Sequence, residues 1–548
     1  MKRADATAAL LLVLFLALGI AGEPKMATTF DEPQHLRWGR AALAGRFPRE
    51  TLYDDSKMPV TALNAAVARA LQRLPQDPSS RLPLHGARWV TLVFSAAIGL
   101  LLYRFTLSLY GEPGALLCLT LYVLEPNVIA HSQLVTTDVF AMGGTFATLL
   151  FFGRFLEAPG WRSALSSAMA LGLSQLAKYT CVLLYPVLLL TLVVHLGLRS
   201  WSRRPLPPAG PEATSVGQPG WRSVLLWTAV HLVVPLAIVD AGFGFQGVGR
   251  PLAEYRFRSG LFEGVQEVSP FLSSVPLPVA APWLEGLDWV VGRSTRSEGA
   301  FANLYLLGRV IPTDSAFRGF RGYYLVAYLF KVPLATQLVV LAAVAGWLAA
   351  LRRRECGGEA AFLLAPAAFF WIYFNFFHDA QIGIRHFLVV QPFMIALAGR
   401  LAPALREGRS RRLAGAAFAL LLSWQAVSVL SYHPHYLPYF NELVPDKRYA
   451  YRILADSNLD WGQSRLYVRR YLEGHPEAVL DPPRPTAGRL VVGANELTGV
   501  AFGPERYRWL REGFAPVEHV AYTHLVYDVS AEALRKALAG DTAGAGTR

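Results

Sequence analysis

Charged residues are scarce in this sequence. Only 17% of its 548 residues are Asp, Glu, Lys or Arg, while 53% are hydrophobic, and the mean hydropathy is +0.32. A soluble chain carries about 25% charged residues. The composition therefore excludes an ordinary soluble protein. The chain instead contains many apolar runs of about 20 residues, the length that crosses a hydrocarbon core.

Cysteines and nucleotide-binding signatures are also sparse. Cys118, Cys181 and Cys356 fall in two apolar runs and one Arg-rich loop, so no disulfide framework is indicated. We find no βαβ unit with a Gly-rich turn, which argues against a nucleotide-sugar substrate. The net charge of +13 resides in short Arg clusters between apolar runs. That distribution is typical of membrane orientation and not of nucleic-acid binding.

The apolar runs predict a mainly α-helical, polytopic transmembrane bundle of about 11 spans. The predicted spans cover residues 6–22, 87–107, 113–130, 139–157, 163–177, 180–198, 222–241, 323–350, 360–377, 384–403 and 412–430. The first run could also be a cleaved signal peptide, because Lys2 and Arg3 precede it. A retained helix is favoured, since the run is long for a signal core and ends on a poor cleavage site.

Positive charge marks one side of the bundle. Arg clusters occupy every second connection, whereas the short opposite connections hold almost no positive charge apart from Lys178 and Arg385. The positive-inside rule then places Met1 in the cytoplasm and the large loops outside. Together with an Arg- and Ala-rich composition that suggests a bacterial chain, this predicts a multi-pass protein of the plasma (inner) membrane. One inner connection, 203–221, is rich in Pro and Gly and predicts a flexible loop.

The sequence divides into a transmembrane domain over 1–430 and an extracytoplasmic α/β domain over 431–548. Two large outer loops, 23–86 and 242–322, interrupt the transmembrane domain. Within the first loop, residues 64–74 predict an amphipathic helix suited to the membrane interface. The C-terminal domain mixes short β-like runs with helical ones.

Carboxylates occur where an enzyme acting on a lipid-linked substrate would need a base. Asp31 and Glu32 follow the first span, and Asp138 opens a later span at the same membrane face. Each could instead cap a helix, but charges near the membrane are costly and tend to be functional. Asp31 is the predicted catalytic base, and Glu32 and Asp138 are expected to orient the acceptor or to assist Asp31. His35, one turn after Asp31, is either a metal ligand or, the favoured interpretation, an ordinary hydrogen-bonding residue.

Five cationic or titratable side chains are predicted at or just below the outer surface: Lys57, Lys178, Lys331, Arg385 and His386. A single interfacial Lys or Arg usually anchors a helix by extending to water. Several such groups at one level suit an anionic lipid headgroup, because Arg offers a forked contact to phosphate. The sequence therefore predicts a lipid-phosphate site, with Lys57 and Arg385 as its strongest candidates.

The start of the C-terminal domain combines aromatic and amide side chains. Asn458, Asp460, Trp461 and Gln463 lie within eight residues that begin at Asp456. Tyr and Trp fit an interfacial belt, but an aromatic ring beside amide and carboxylate groups also fits the recognition of a sugar. We expect these residues, together with His35, to bind the sugar or the acceptor.

These motifs, in this order and on one membrane face, resemble those of the GT-C-type membrane glycosyltransferases that use polyprenyl-phosphate sugars. This superfamily includes the protein O-mannosyltransferases and the aminoarabinose transferases that modify lipid A. The matching segments are Asp31-Glu32, Ser56 to Pro59, Pro126 to Asp138, Lys178-Tyr179, Lys331 to Pro333, Gly383 to His386, and Asp456 to Gln463. The resemblance implies that Asp31 acts as base or positions the acceptor, and that the sugar leaves polyprenyl phosphate with inversion. Relatives differ in metal use, so a divalent metal stays open.

The expected function is transfer of a sugar from a polyprenyl-phosphate donor to a hydroxyl of a lipid, glycan or protein acceptor on the extracytoplasmic face. The alternative is a lipid or solute transporter or flippase. Transporters usually place ionisable groups near the bilayer midplane and often contain inverted repeats, and we find neither pattern here. A non-catalytic receptor is a third class, but it leaves the gathering of carboxylates and cations on one face unexplained.

Overall fold

The structure is a computed structural model. It describes residues 3–51, 54, 56–75, 77, 80–201, 221–268, 270–296, 303–312, 319–356, 360–405 and 410–545. The connection at 203–221, predicted to be flexible, lies almost wholly outside the described residues.

Helices dominate the chain. The α-helices are α1 (Arg3–Gly22), α2 (Glu32–Leu43), α3 (Thr61–Gln72), α4 (Leu82–Val123), α5 (Pro126–Ser132), α6 (Asp138–Glu157), α7 (Trp161–Gln175), α8 (Leu184–Trp201), α9 (Trp221–Gly242), α10 (Gly260–Glu267), α11 (Pro270–Ser274), α12 (Ala281–Arg296), α13 (Tyr323–Lys331), α14 (Leu334–Arg352), α15 (Ala361–Phe376), α16 (Gln391–Ala398), α17 (Ser410–Leu430), α18 (Arg465–Gly474), α19 (Ala494–Thr498), α20 (Arg508–Gly513) and α21 (Ala531–Ala545). The strands are β1 (Leu304–Leu306), β2 (Arg309–Ile311), β3 (Val479–Leu480), β4 (Gly488–Gly493), β5 (Glu518–Val520) and β6 (His524–Val529).

The predicted fold class, a mainly α-helical membrane bundle, is confirmed. Each predicted span coincides with helical structure, and 8 helices of the described residues are long and apolar enough to cross a membrane. The number of spanning helices is lower than the predicted number of about 11 spans because some of the predicted spans merge, break or are too short. Two predicted spans join in α4, where only Gly111 leaves the helical conformation (φ 73°). The span predicted at 323–350 breaks at Val332 and Pro333 between α13 and α14, and α7 and α15 have only 15 and 16 residues. The exact number of spans stays a prediction.

The bundle has a protein-facing centre and a lipid-facing periphery. Of the apolar stretch at Ile384–Ala402, 83% is buried, compared with 11% at Arg411–Leu430. The centre is filled by α4, α6 and α16 together with the turns that precede α16. Because the 384–402 segment is enclosed on all sides, a charged residue at its outer end is held in a fixed position.

The C-terminal residues form the predicted α/β unit. Its four-stranded sheet has the order β3-β4-β6-β5, with β3 parallel to β4 and the other pairs antiparallel. The β-like runs noted in the sequence lie in β4 and β6, where Leu490 pairs with Tyr527. Val468 of α18 packs against the sheet residues Val491 and Val526. The predicted boundary at residue 430 stays a prediction.

The first outer loop is joined to the C-terminal segment by backbone hydrogen bonds. The Ala27 N–H donates to the Gln463 carbonyl over 2.8 Å, and the Phe30 N–H donates to the Trp461 carbonyl over 3.0 Å. The predicted amphipathic helix is α3, whose buried Asn64 donates to the α4 backbone. These contacts bring the beginning and the end of the chain together at one end of the bundle, where the candidate site lies.

Candidate active site

Asp31 immediately precedes α2, and its side chain makes no capping hydrogen bond to that helix. One turn further on, the His35 N–H donates to the Asp31 carbonyl over 3.1 Å. The Asp31 carboxylate is directed to Arg385, whose Nη1 donates to its Oδ2 over 2.9 Å. A capping role therefore does not account for Asp31, and its partner comes from a residue 354 positions away.

Four charged side chains from distant parts of the chain form one cluster. Arg385 Nη1 lies 2.9 Å from Asp31 and 4.0 Å from Asp138, and Lys178 Nζ donates to the other Asp138 oxygen over 2.6 Å. All four side chains are mostly buried, with exposures between 3% and 19%. Charges that share a low-dielectric site interact far more strongly than they would in water. The structure thus brings together four of the predicted site residues.

Arg385 retains hydrogen-bonding capacity within this cluster. Its Nε has no hydrogen-bond partner in the described part of the chain. Its guanidinium carbon lies 4.0 Å from the centre of the Trp461 ring. A guanidinium presents five N–H donors in a rigid fork that matches phosphate geometry. Stacking on Trp461 fixes the plane of that fork, so Arg385 can contact an anionic ligand with little further ordering.

The C-terminal segment fixes the position of Arg385. The Ile384 N–H donates to Asn458 Oδ1 over 3.0 Å, and the Ser457 hydroxyl donates to the carbonyl that precedes Gly383. Gly383 has a φ of 146°, and a Cβ atom there would lie 2.2 Å from Ser457 Oγ. Glycine is therefore required at this close approach, both for its backbone conformation and for space.

The environment of Lys331 does not suit phosphate binding, which needs an accessible cation with free donors. It is fully buried, and its Nζ donates to the Leu437 and Asn458 carbonyls over 2.7 and 2.6 Å. It also lies 4.9 Å from the Phe440 ring. This geometry favours a structural role, in which Lys331 joins the end of α13 to the C-terminal segment.

Three of the predicted sugar-binding residues use their side chains in hydrogen bonds within the protein, Asn458 to other parts of the chain and Asp460 and Gln463 inside their own segment. Asn458 Nδ2 donates to the Tyr323 hydroxyl over 2.9 Å. Gln463 Oε1 accepts from the Trp461 N–H over 2.6 Å, and Asp460 Oδ1 accepts from the backbone two residues later over 2.9 Å. These bonds shape the loop that presents Trp461. Trp461 itself contacts the charged cluster through Arg385.

Glu32 is held in a closed network around Arg88. Arg88 donates to both Glu32 oxygens over 2.7 and 2.6 Å, to Glu23 Oε1 over 2.8 Å and to the Ala27 carbonyl over 2.9 Å. The same carboxylate accepts the Thr29 N–H over 2.8 Å. Both charged groups are fully buried. The geometry favours a positioning role for Glu32, which fixes the loop that carries Asp31, over direct contact with the acceptor.

Lys57 and His35 complete the site from the first outer loop. Arg49 anchors the turn by donating to the Lys57 carbonyl over 3.0 Å and to the Tyr179 hydroxyl over 2.5 Å. Lys57 is 3% exposed, and its charge acts on Asp31. Burial, reinforced by the Lys57 charge, lowers the pKa of His35 well below its usual range. His35 is therefore a neutral imidazole, and its buried Nδ1 has no partner among the described residues.

The surrounding charges determine the ionisation of Asp31. Burial by itself would raise the pKa of this carboxyl group, but the positive charges of Arg385 and Lys57 outweigh burial and lower the pKa to about 2. Asp31 is therefore ionised at neutral pH. A carboxylate with so low a pKa is a weak proton acceptor as long as both charges remain beside it.

Two residues near the cluster were not among the predicted site residues. Asp456 has a left-handed φ of 58°, and burial raises its pKa to about 6 despite the neighbouring charge of Arg385. His131 is 2% exposed, with its ring centre 6.1 Å from that of Trp461. Both lie inside segments that carry the family resemblance, and this resemblance is the sequence signal from which they could have been selected. Their burial beside the cluster depends on the tertiary structure.

His386 lies close to a second histidine. Its Nδ1 is 3.0 Å from His378 Nε2 and 3.0 Å from the Ala380 carbonyl. This nitrogen is thus already engaged, and phosphate binding by His386 stays a prediction.

A metal is not favoured by the donor set. Among the described residues, no group of three or more His, Cys, Asp or Glu side chains is arranged to hold a metal ion. The two carboxylates that face each other, Asp31 and Asp138, are instead neutralised by Arg385 and Lys178.

Comparison with known families supports the resemblance seen in the sequence. Residues 82–210 match a family model described as dolichyl-phosphate-mannose-protein mannosyltransferase. This stretch includes Asp138 and Lys178. The expected similarity to GT-C-type glycosyltransferases is confirmed at this level. No curated protein matches the chain.

Solved structures with a similar fold include distant relatives in sequence. The apo oligosaccharyltransferase of Archaeoglobus fulgidus is 13% identical, with a TM-score of 0.48 over 79% of this chain and 55% of that one. The chain thus spans about half the length of the archaeal protein. ArnT from Cupriavidus metallidurans in the apo state is 14% identical, with a TM-score of 0.30 over 95% of this chain and 97% of ArnT. The same protein bound to undecaprenyl phosphate is 13% identical, with the same TM-score and coverage.

The Arg88 network generates a stability prediction. Replacing Arg88 with Met leaves Glu23 and Glu32 as buried carboxylates without their main partner. Breaking one side of a buried ion pair costs about 3–5 kcal/mol. We expect Arg88→Met to reduce the yield of monodisperse protein and to lower its thermal unfolding midpoint in detergent. The control is Arg508→Met, which removes an exposed pair worth less than about 1 kcal/mol. Equal unfolding midpoints for both variants would contradict the assigned role of Arg88.

Asp456 generates a prediction about pH. An ordinary Asp in the unfolded chain ionises near pH 4, whereas burial raises the pKa of Asp456 to about 6 in the folded state. Its contribution to stability is therefore fully present below pH 4 and is lost as the pH rises through 6, by up to about 3 kcal/mol. In Asp456→Asn this loss should disappear, so the variant should gain stability over the wild type between pH 4 and 7. Thermal unfolding across that range measures the difference, with Asp528→Asn at an exposed position as control. Parallel curves for Asp456→Asn and wild type would show that Asp456 does not titrate in this window.

Proposed function

We propose that this chain is a membrane glycosyltransferase that moves a sugar from a polyprenyl-phosphate donor to an acceptor hydroxyl at the extracytoplasmic face. One observation carries the proposal: a carboxylate, Asp31, is paired with a stacked arginine, Arg385, in a mostly buried cluster that also contains Asp138 and Lys178. Transfer from a phosphate-linked sugar requires a proton acceptor next to an anion site. This cluster contains both.

The donor phosphate is bound by the cations. Arg385 supplies the fork, while Lys178 and Lys57 add positive charge around it. The bond between the anomeric carbon and the phosphate oxygen breaks with its electron pair moving to the phosphate. Positive groups already in place stabilise the charge that develops on the leaving phosphate, and they act more strongly in a mostly buried site.

The acceptor is activated by Asp31. As the acceptor oxygen attacks the anomeric carbon, its proton passes to the Asp31 carboxylate. Attack from the face opposite to the phosphate inverts the anomeric configuration. His35, neutral and with its Nδ1 unpartnered, lies one turn away and is placed to hydrogen-bond the acceptor or the sugar. Trp461, which stacks on Arg385, presents an aromatic surface beside the reacting groups.

Binding of the donor also changes the basicity of Asp31. Without the donor, Arg385 is paired with Asp31 and lowers its pKa. A phosphate that draws the guanidinium away removes the largest charge opposing the effect of burial, so the pKa of Asp31 rises. The carboxylate then becomes a stronger proton acceptor at the moment when the leaving group is in place. Unproductive proton uptake in the absence of donor is thereby limited.

The first test follows polyprenyl phosphate. Purified protein in nanodiscs is incubated with a panel of polyprenyl-phosphate sugars and an envelope extract, and mass spectrometry quantifies the released polyprenyl phosphate. Because general base catalysis contributes about 10²–10⁴-fold, we expect Asp31→Asn to lower the release rate by that factor. Asp528→Asn, at an exposed carboxylate of the C-terminal sheet, should behave as wild type.

The outcomes separate the elements of the proposal. Equal release by Asp31→Asn and wild type would remove Asp31 from the chemistry and keep the enzyme class. Absence of release from every donor by a folded, monodisperse wild type would overturn the enzyme class and direct attention to transport assays.

Arg385→Lys tests the phosphate assignment. Lysine keeps the charge but loses the forked contact and the planar stacking on Trp461. We expect an increase in KM for the lipid-linked donor of about 10–100-fold, corresponding to the roughly 1.5–3 kcal/mol of a charged hydrogen bond, with a smaller change in kcat. A loss confined to kcat, with an unchanged KM for the donor, would exclude Arg385 from donor binding.

A further inference from the structure

The second outer loop exposes an apolar helix face. Leu261 and Val265 on α10 and Val268, which caps its C-terminal end, are 62%, 43% and 73% exposed, and their spacing of four and three residues places them on one side of the helix. Phe262 points the other way and packs into a cluster with Tyr255. Helix α10 therefore has apolar side chains both on the side that packs against the loop and on the side that faces outward.

The loop that carries this face begins where α9 ends. Helix α9 is one of the helices able to span the membrane and ends at Gly242, and Leu225 and Val233 on it are 60% and 62% exposed, as expected for lipid contact. Phe245, three residues beyond its end, is 61% exposed. The apolar surface of the span thus continues into the loop.

Hydrogen bonds attach α10 to the segment that follows α9. Gln266 Nε2 on α10 donates to the Leu252 and Tyr255 carbonyls over 2.7 and 2.9 Å. The Leu252 N–H donates to the Val275 carbonyl, just after α11, over 3.3 Å. The α10 helix is consequently attached to the segment that follows α9 by contacts on its inner side, which leaves the face formed by Leu261, Val265 and Val268 outward.

We propose that the α10 face formed by Leu261, Val265 and Val268 inserts into the outer leaflet of the bilayer, at the boundary between headgroups and acyl chains. A lipid surface fits better than a second protein copy because α10 packs, through Phe262 and Trp283, next to the cluster that contains Val239 and Phe243 at the end of a membrane span. The helix also has the amphipathic character of interfacial segments, with Glu263 and Glu267 turned away from the apolar face. This contact does not depend on the proposed sugar transfer.

The same loop reaches the candidate site through α12. Gly286 of α12 packs so closely on Tyr179 that a Cβ atom would lie 1.9 Å from the tyrosine hydroxyl. That hydroxyl accepts from Arg49, which also holds the Lys57 carbonyl. A loop held in the leaflet by α10 is therefore attached through α12 to the part of the site that carries Lys57.

Site-directed fluorescence tests the contact in the full-length protein. Val265→Cys and Glu267→Cys are each labelled with the environment-sensitive dye NBD in nanodiscs of phosphatidylethanolamine and phosphatidylglycerol. The three native cysteines are buried, and labelled wild type measures their background. Lipids carrying a doxyl quencher high on the acyl chain are then introduced. We expect blue-shifted emission from the dye at position 265 and loss of most of its intensity with doxyl lipid, whereas the dye at 267 on the polar flank should emit as in water.

Two outcomes would overturn the proposal. Water-like, unquenched emission at both positions in monodisperse protein would show that the face is not in the leaflet. Blue-shifted emission at 265 that doxyl lipids do not quench would show that protein covers the face instead.

Discussion

The architecture of the site depends on the burial of one arginine. Arg88 is fully enclosed on α4, and its five N–H donors are directed at the Glu32 carboxylate, the Glu23 carboxylate and carbonyl, and the Ala27 carbonyl. A buried guanidinium is tolerated only when its donors are paired. The first outer loop must therefore take the one path that supplies those acceptors. Asp31, adjacent to Glu32, is placed by that path.

The contrast with Arg385 separates a structural arginine from one that is suited to bind a ligand. Both are buried charges on membrane helices or their ends, and both face carboxylates. Arg88 has all of its donors engaged and no exposed surface, whereas the Nε of Arg385 has no partner within the described ranges and its side chain is 10% exposed. Since a ligand can bind only where hydrogen-bonding capacity remains, Arg385 is the group suited to an incoming anion. The same argument assigns Glu32 to positioning and Asp31 to chemistry, although the two are neighbours in the sequence.

The C-terminal segment packs against the site and contributes contacts to it. Asn458 supports Ile384, Trp461 covers the Arg385 guanidinium, and Lys331 connects α13 to the same segment. Residues 455–463 are therefore part of the site and not a linker to a separate sheet domain. In the proposed reaction, this arrangement couples the geometry of the phosphate site to the docking of the C-terminal unit. The α10 face in the second loop would add a contact with the bilayer at the other side of the site.

Much about this protein is determined by the sequence alone. Apolar runs of spanning length establish a helical membrane bundle, because backbone groups in lipid must be satisfied within each segment. The position of Asp31, Asp138, Lys178 and Arg385 at the ends of such runs was enough to select them as site residues. Only the tertiary structure decided which of the polar candidates form hydrogen bonds that hold the fold: Glu32, Lys331, Asn458 and Gln463 have the same chemistry in the sequence as ligand-binding residues would. The partners of Glu32, Lys331 and Asn458 come from segments up to 135 residues away, and a local pattern contains no information about such long-range pairing. For the same reason, the sequence did not reveal that Asp456 and His131 lie beside the cluster, because this depends on how distant segments of the chain pack together.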